Sequence, residues 1–124
     1  MPKIKVLVAD DSPTQLNVMT QPFLDNYDVI TAKDGQEALE KASSERPELA
    51  VLDVIMPKYN GFQVCRKMKK DAMLKKIKII LLTSKSQESD KYWGMKQGAD
   101  AYMTKPFDSQ ELLSVAVKLL AERS

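Results

Sequence analysis

The stretch Lys3-Ile4-Lys5-Val6-Leu7-Val8-Ala9-Asp10-Asp11-Ser12-Pro13-Thr14-Gln15 decides the architecture. It starts with alternation and becomes continuously apolar, as a strand buried on both faces does. Two acids close it. Ser12 then offers a helix cap, Pro13 suits the first helical position, and Gln15 stands three residues after the cap. A fully buried strand that runs straight into a capped helix is the opening of a strand–helix repeat.

Working outward, the same unit recurs. Apolar runs at 28–32, 49–52, 77–82 and 101–103 are rich in Val, Ile, Leu or Tyr and too short for independent helices. Between them, Asp34 with Glu37 and Asp108 with Glu111 form acidic capping patterns, and Asn60 with Gln63 a weaker one. Leu16, Met19 and Phe23 share one helical face; so do Phe62, Cys65 and Met68, and, in the last helix, Leu113, Ala116, Val117 and Leu120. Pro22 inside the first helical pattern should kink or shorten it. Gly98 suits a helix C-terminus. Five strand–helix units predict one α/β domain over 1–124, a five-stranded parallel sheet covered by helices on both faces, with right-handed crossovers.

Composition narrows the function. With 124 residues, 44% hydrophobic and 29% charged, the chain can bury a core without staples and is neither disordered nor membrane-spanning. No secretory leader is evident, so the expected compartment is the cytoplasm. The net charge of +2, from 19 basic and 17 acidic groups, is too balanced to argue for nucleic acid or an anionic membrane. There is no histidine, which removes a Ser-His-Asp triad, a histidine base and histidine-ligated metal. Cys65 is the one cysteine, read as a small buried hydrophobe.

In an open parallel sheet, functional groups collect beyond the carboxyl ends of the strands. Those ends carry Asp10 and Asp11, Asp53, Thr83 and Ser84, and Lys105-Pro106. Each alone has an ordinary explanation; Asp10 and Asp11, for example, could merely complement a helix dipole. Four strands delivering such groups to one rim is harder to dismiss. Carboxylates ~4 Å apart repel by about 4 kcal/mol at an effective dielectric of ~20, so one protonates or a cation enters. With oxygen ligands only, that cation should be hard, Mg²⁺ or Mn²⁺. The set suits a phosphoryl group, and a carboxylate can itself accept one.

In their order and spacing, Val8-Ala9-Asp10-Asp11-Ser12, Leu52-Asp53-Val54-Ile55-Met56-Pro57 with Gly61, Leu82-Thr83-Ser84 and Lys105-Pro106-Phe107 resemble the response-regulator receiver domains of two-component signalling. The resemblance spans the whole chain. It implies a flavodoxin-like fold with strand order 2-1-3-4-5. It implies Asp53 as phosphoacceptor, with Mg²⁺ held by Asp10, Asp11, Asp53 and the backbone carbonyl of Ile55. Thr83 and Lys105 would bond phosphoryl oxygens, Pro106 would follow a cis bond, and Tyr102 would turn inward as Thr83 moves. Pro57 and Gly61 belong to the same motif as structural residues. The implied donor is a histidine kinase or histidine phosphotransfer protein. The implied output is a protein target on the face of the fourth helix, fifth strand and fifth helix, with the chain a monomer or weak dimer.

Some residues depart from the family pattern. Ile55 is apolar where a water could be oriented, which implies slow self-hydrolysis of the acyl phosphate; an Asp-nucleophile phosphatase would carry an acid there. A phosphorylation-independent interaction module is the third alternative. Tyr92-Trp93-Gly94 is unusual in a helix, since the glycine costs about 1 kcal/mol. Trp93 is expected to pack partly into the core, or else to flank a partner-binding face. Arg66, Lys67, Lys69, Lys70, Lys75 and Lys76 read as a solvated face with no aromatic platform beside it.

Overall fold

A computed structural model describes residues 3–123; the expected domain limits at Met1 and Ser124 lie outside them. The strands are β1 (Lys5–Ala9), β2 (Asp28–Ala32), β3 (Leu49–Leu52), β4 (Lys78–Thr83) and β5 (Ala101–Thr104). The helices are α1 (Pro13–Thr20), α2 (Gly35–Glu45), α3 (Gly61–Lys70), α4 (Glu88–Lys96) and α5 (Ser109–Glu122). All strand pairs are parallel, in the order β2-β1-β3-β4-β5. This is the flavodoxin-like arrangement expected.

Alternation along the central strands splits the core in two. Leu7, Ala9, Ala50, Leu52, Ile79 and Leu81 pack with Ala38, Val64, Cys65 and Met68 on the side of α2 and α3. Val6, Val8, Leu49, Val51, Ile80 and Leu82 pack with Met19, Phe23, Leu112 and Ala116 on the side of α1 and α5. Because the side-chain period of a strand is two, each central strand needs apolar residues at every position, which explains its unbroken run.

The caps form as chemistry dictates. Ser12, Asp34 and Asp108 accept backbone N–H bonds from Gln15, Glu37 and Gln110. Asn60, expected to be the weaker cap, makes a complete reciprocal box with Gln63, at 2.9 and 2.8 Å. Pro22 shortens α1, which ends at Thr20 and continues as a 3₁₀ turn over Gln21–Phe23. Gly98, at φ 103°, follows α4 in the left-handed region.

Two expectations need correction. Val117 is 51% exposed, and the inner face of α5 is Leu112, Ala116, Leu119 and Leu120. A stripe at 112, 116, 119 and 120 satisfies helical periodicity as well as one through 113 and 117, and contact with the sheet selects it. Trp93 does not enter the core but is 52% exposed, because its neighbour Gly94 takes the inward position. A Cβ on Gly94 would lie 2.9 Å from Tyr102 Cδ2 and 3.0 Å from Leu81 Cδ1. The glycine that weakens the helix therefore makes room for a tyrosine ring.

Candidate functional site

The parallel register brings three strand ends together. Asp53 N–H donates to the Ala9 carbonyl at 3.0 Å, and Asp10 N–H to the Ala32 carbonyl at 3.1 Å, so both acids continue the sheet's hydrogen bonding past its edge. From the far side of β4, Lys105 reaches across. Its Nζ donates to Asp10 Oδ2 at 2.6 Å and to Asp53 Oδ2 at 2.9 Å. The Lys105–Pro106 peptide bond is cis. Asp10 Oδ1 accepts from the Ser12 N–H at 2.9 Å and Asp53 Oδ1 from the Ile55 N–H at 3.0 Å.

These partners set the protonation states. Burial pushes the Asp53 carboxyl up, but the Ile55 N–H, the Lys105 ammonium and the Thr83 hydroxyl outweigh it and hold it below the ordinary carboxylate value. For Asp10 burial wins: Lys105 and the Ser12 N–H draw it down, yet it stays raised, with Asp53 adding to the rise. Burial lowers Lys105, but its two carboxylate partners more than compensate and keep it charged. Asp53 is thus the readier of the two buried acids to stand ionised.

A cavity of about 570 Å³ opens over this pair, lined by both acids, Asp11, Ser12, Gln15, Val18, Ile55, Ser84, Lys105, Pro106 and Phe107. Of the two strand-end hydroxyl residues it is Ser84 that lines the cavity. Thr83 is fully buried, its Oγ1 accepting from the Lys85 N–H at 3.4 Å. Tyr102 donates its hydroxyl to the Lys85 carbonyl at 2.7 Å, which links the ring to the same loop. Burial, with Asp90 and Asp53 nearby, pushes its phenol up to about 12. Gly61 is required at the start of α3: a Cβ there would strike the Asp53 carbonyl and lie 2.8 Å from Val54 Cα. Pro57, exposed in the preceding loop, accepts at its carbonyl from the Gly35 N–H at 3.3 Å. Sequence reasoning missed Gln15 and Val18 as cavity residues. Val18, 43% exposed beside the buried Met19, was visible only as an apolar residue off the inner face of α1.

Crowded carboxylates call for protonation or a cation, and the Lys105 ammonium supplies one positive charge between Asp10 and Asp53. Among the described residues no three acids form a ready metal cluster. Lys105 bridges Asp10 and Asp53 and offsets one of their two charges, while Asp11 stands exposed. The donor set still fits a hard cation, since every available ligand atom is oxygen and two of the acids are buried.

Residues 6–117 match the family model described as the response regulator receiver domain. The chain is 39% identical over 118 residues to Protein PilH of Pseudomonas aeruginosa, covering 94% of this chain and 98% of that protein. It is 43% identical over 121 residues to the alkaline phosphatase synthesis transcriptional regulatory protein PhoP of Bacillus subtilis, covering 97% of this chain and 49% of PhoP. It therefore spans about half the length of PhoP and nearly all of PilH. The chemotaxis response regulator CheY4 of Vibrio cholerae superposes with a TM-score of 0.87 at 32% identity, covering 94% of this chain and 98% of that one. The chain belongs to the response regulator receiver family: it is a phosphorylation-dependent switch of two-component signalling. Such domains are signalling domains rather than classical enzymes. No helix among the described residues is long and apolar enough to cross a membrane.

Proposed function

We propose that Asp53 is the phosphoacceptor of a single receiver domain over 1–124. The observation that supports this best is the Lys105 ammonium shared between Asp10 and Asp53 at the floor of an open cavity. A carboxylate oxygen of Asp53 attacks the phosphorus of a phosphohistidine on a kinase or phosphotransfer protein. The N–P bond breaks, its electron pair stays on the imidazole nitrogen, and an O–P bond forms on Asp53. Lys105 follows the new negative charge, and Ser84 or Thr83 supplies a hydroxyl to a phosphoryl oxygen. Mg²⁺ or Mn²⁺, held by Asp10, Asp11, Asp53 and the Ile55 carbonyl, would screen the charge of the transferred group.

Ile55, 53% exposed at the cavity mouth, brings no polar group to a hydrolytic water, so the acyl phosphate is long-lived. Transfer and slow self-hydrolysis are the only reactions assigned to the chain. Output runs through Tyr102 to a protein bound on α4, β5 and α5, with the chain a monomer or weak dimer in the cytoplasm. Acetyl phosphate with Mg²⁺ is expected to label the chain and to leave Asp53→Asn unlabelled. Undiminished labelling of Asp53→Asn would overturn the assignment.

A further inference from the structure

A second cavity, of about 480 Å³, lies between α3 and α4, lined by Arg66, Lys69, Lys70, Trp93, Lys96 and Gln97. Lys69 is committed within the fold, donating to Asp100 Oδ2 and to the Ile77 carbonyl, each at 3.0 Å. Arg66, Lys70 and Lys96 are exposed, and none has a carboxylate within 4.0 Å among the described residues. This corrects the expectation of a basic face without an aromatic neighbour. The C-terminal dipoles of α3 and α4 favour cations at these positions. They do not explain an indole left half-exposed among them, a residue type that concentrates binding energy at interfaces.

We propose that this cavity binds an acidic polypeptide segment carrying an aliphatic or aromatic side chain. Its carboxylates meet Arg66, Lys70 and Lys96, and the apolar side chain lies on Trp93. Charge complementarity selects the occupant. Three cations without a carboxylate partner, Lys96 among them lying 5.6 Å over the Tyr92 ring, match a few carboxylates, whereas duplex binding engages ~6–10 phosphates, and the whole chain carries only +2. A single indole is one stacking surface rather than the series a single strand requires. The site shares no lining residue with the cavity over Asp53.

Trp93 is the chain's single tryptophan, so its emission reports on the site directly. The full unphosphorylated chain is titrated with a short glutamate-rich peptide bearing one central leucine. The expected result is a saturable change in emission, weakened at least ~10-fold by the double charge reversal Arg66→Glu with Lys70→Glu and weakened by added salt. Calorimetry on Trp93→Ala is expected to show a matching loss. Both variants keep wild-type acetyl phosphate labelling of Asp53, which verifies their fold independently of the peptide. An unchanged emission, an equal response to a lysine-rich peptide, unweakened binding by the charge-reversed variant, or tighter binding of oligothymidylate than of the peptide would each overturn the proposal.

Discussion

The rim above β1 and β3 and the groove between α3 and α4 handle charge in opposite ways. At the rim, two buried carboxylates and one ammonium answer one another within hydrogen-bond distance, and no buried side-chain polar atom among the described residues lacks a partner. In the groove, Lys69 is paired internally while Arg66, Lys70 and Lys96 face solvent. A buried charge must be matched by the fold, because desolvation makes an unmatched one costly. An exposed charge can be left for something else to match. Stability should therefore respond to changes at the rim and recognition to changes in the groove.

The largest effect is expected at Lys105. Lys105→Ala leaves Asp10 and Asp53 without their shared cation, and urea unfolding at neutral pH is expected to show a loss of about 3 kcal/mol. Adding Asp10→Asn should recover much of it. A loss near zero would mean that the rim is as indifferent to its charges as the groove.

Alkaline pH tests burial on both sides of the comparison, at Tyr102 beside the rim and at Cys65 beneath the groove. Burial raises the Cys65 thiol from 9.0 to about 12, and the Tyr102 phenol from 10.0 to about 12. In both cases the folded state keeps the proton longer than the unfolded state. Their contribution is complete below about 9 and is lost as pH rises toward 12. Thermal unfolding midpoints should fall across that window, and less steeply in Cys65→Ala with Tyr102→Phe.

Gly94→Ala sets two effects against each other. Helix propensity would add about 1 kcal/mol, while forcing Tyr102 and Leu81 aside costs ~1–3 kcal/mol. Net destabilisation is expected, relieved when Tyr102→Ala is added; a stabilised Gly94→Ala would show that the ring needs no slot. The smallest effect belongs to the groove. Lys70→Gln should change stability by no more than ~0.5 kcal/mol and leave labelling untouched.

The parts legible in the sequence are those set by local rules. Continuous apolar runs marked the buried strands, Ser12, Asp34, Asn60 and Asp108 marked helix starts, and Pro22 marked where α1 stops. Strand ends placed Asp10, Asp53 and Lys105 on one rim because a parallel sheet leaves them nowhere else. What escaped depended on rotation about an axis. Val117 and Trp93 each lie next to an inward position, and only contact with the sheet decides which neighbour enters. Trp93 beside Arg66 and Lys70 was invisible for a different reason: some two dozen residues separate them along the chain, and only the tertiary fold brings them to one cavity.

Lys105 follows β5, an edge strand, yet its hydrogen bonds end on groups that follow β1 and β3, inside the sheet. In mechanical terms it is a tie-rod thrown over β4, bracing the border of the structure against its middle. Whatever competes for either end of that rod slackens the brace on one margin while the inner strands keep their own fastenings. On the proposed function, a small chemical change at the centre is thereby felt first at the periphery, where a partner can read it.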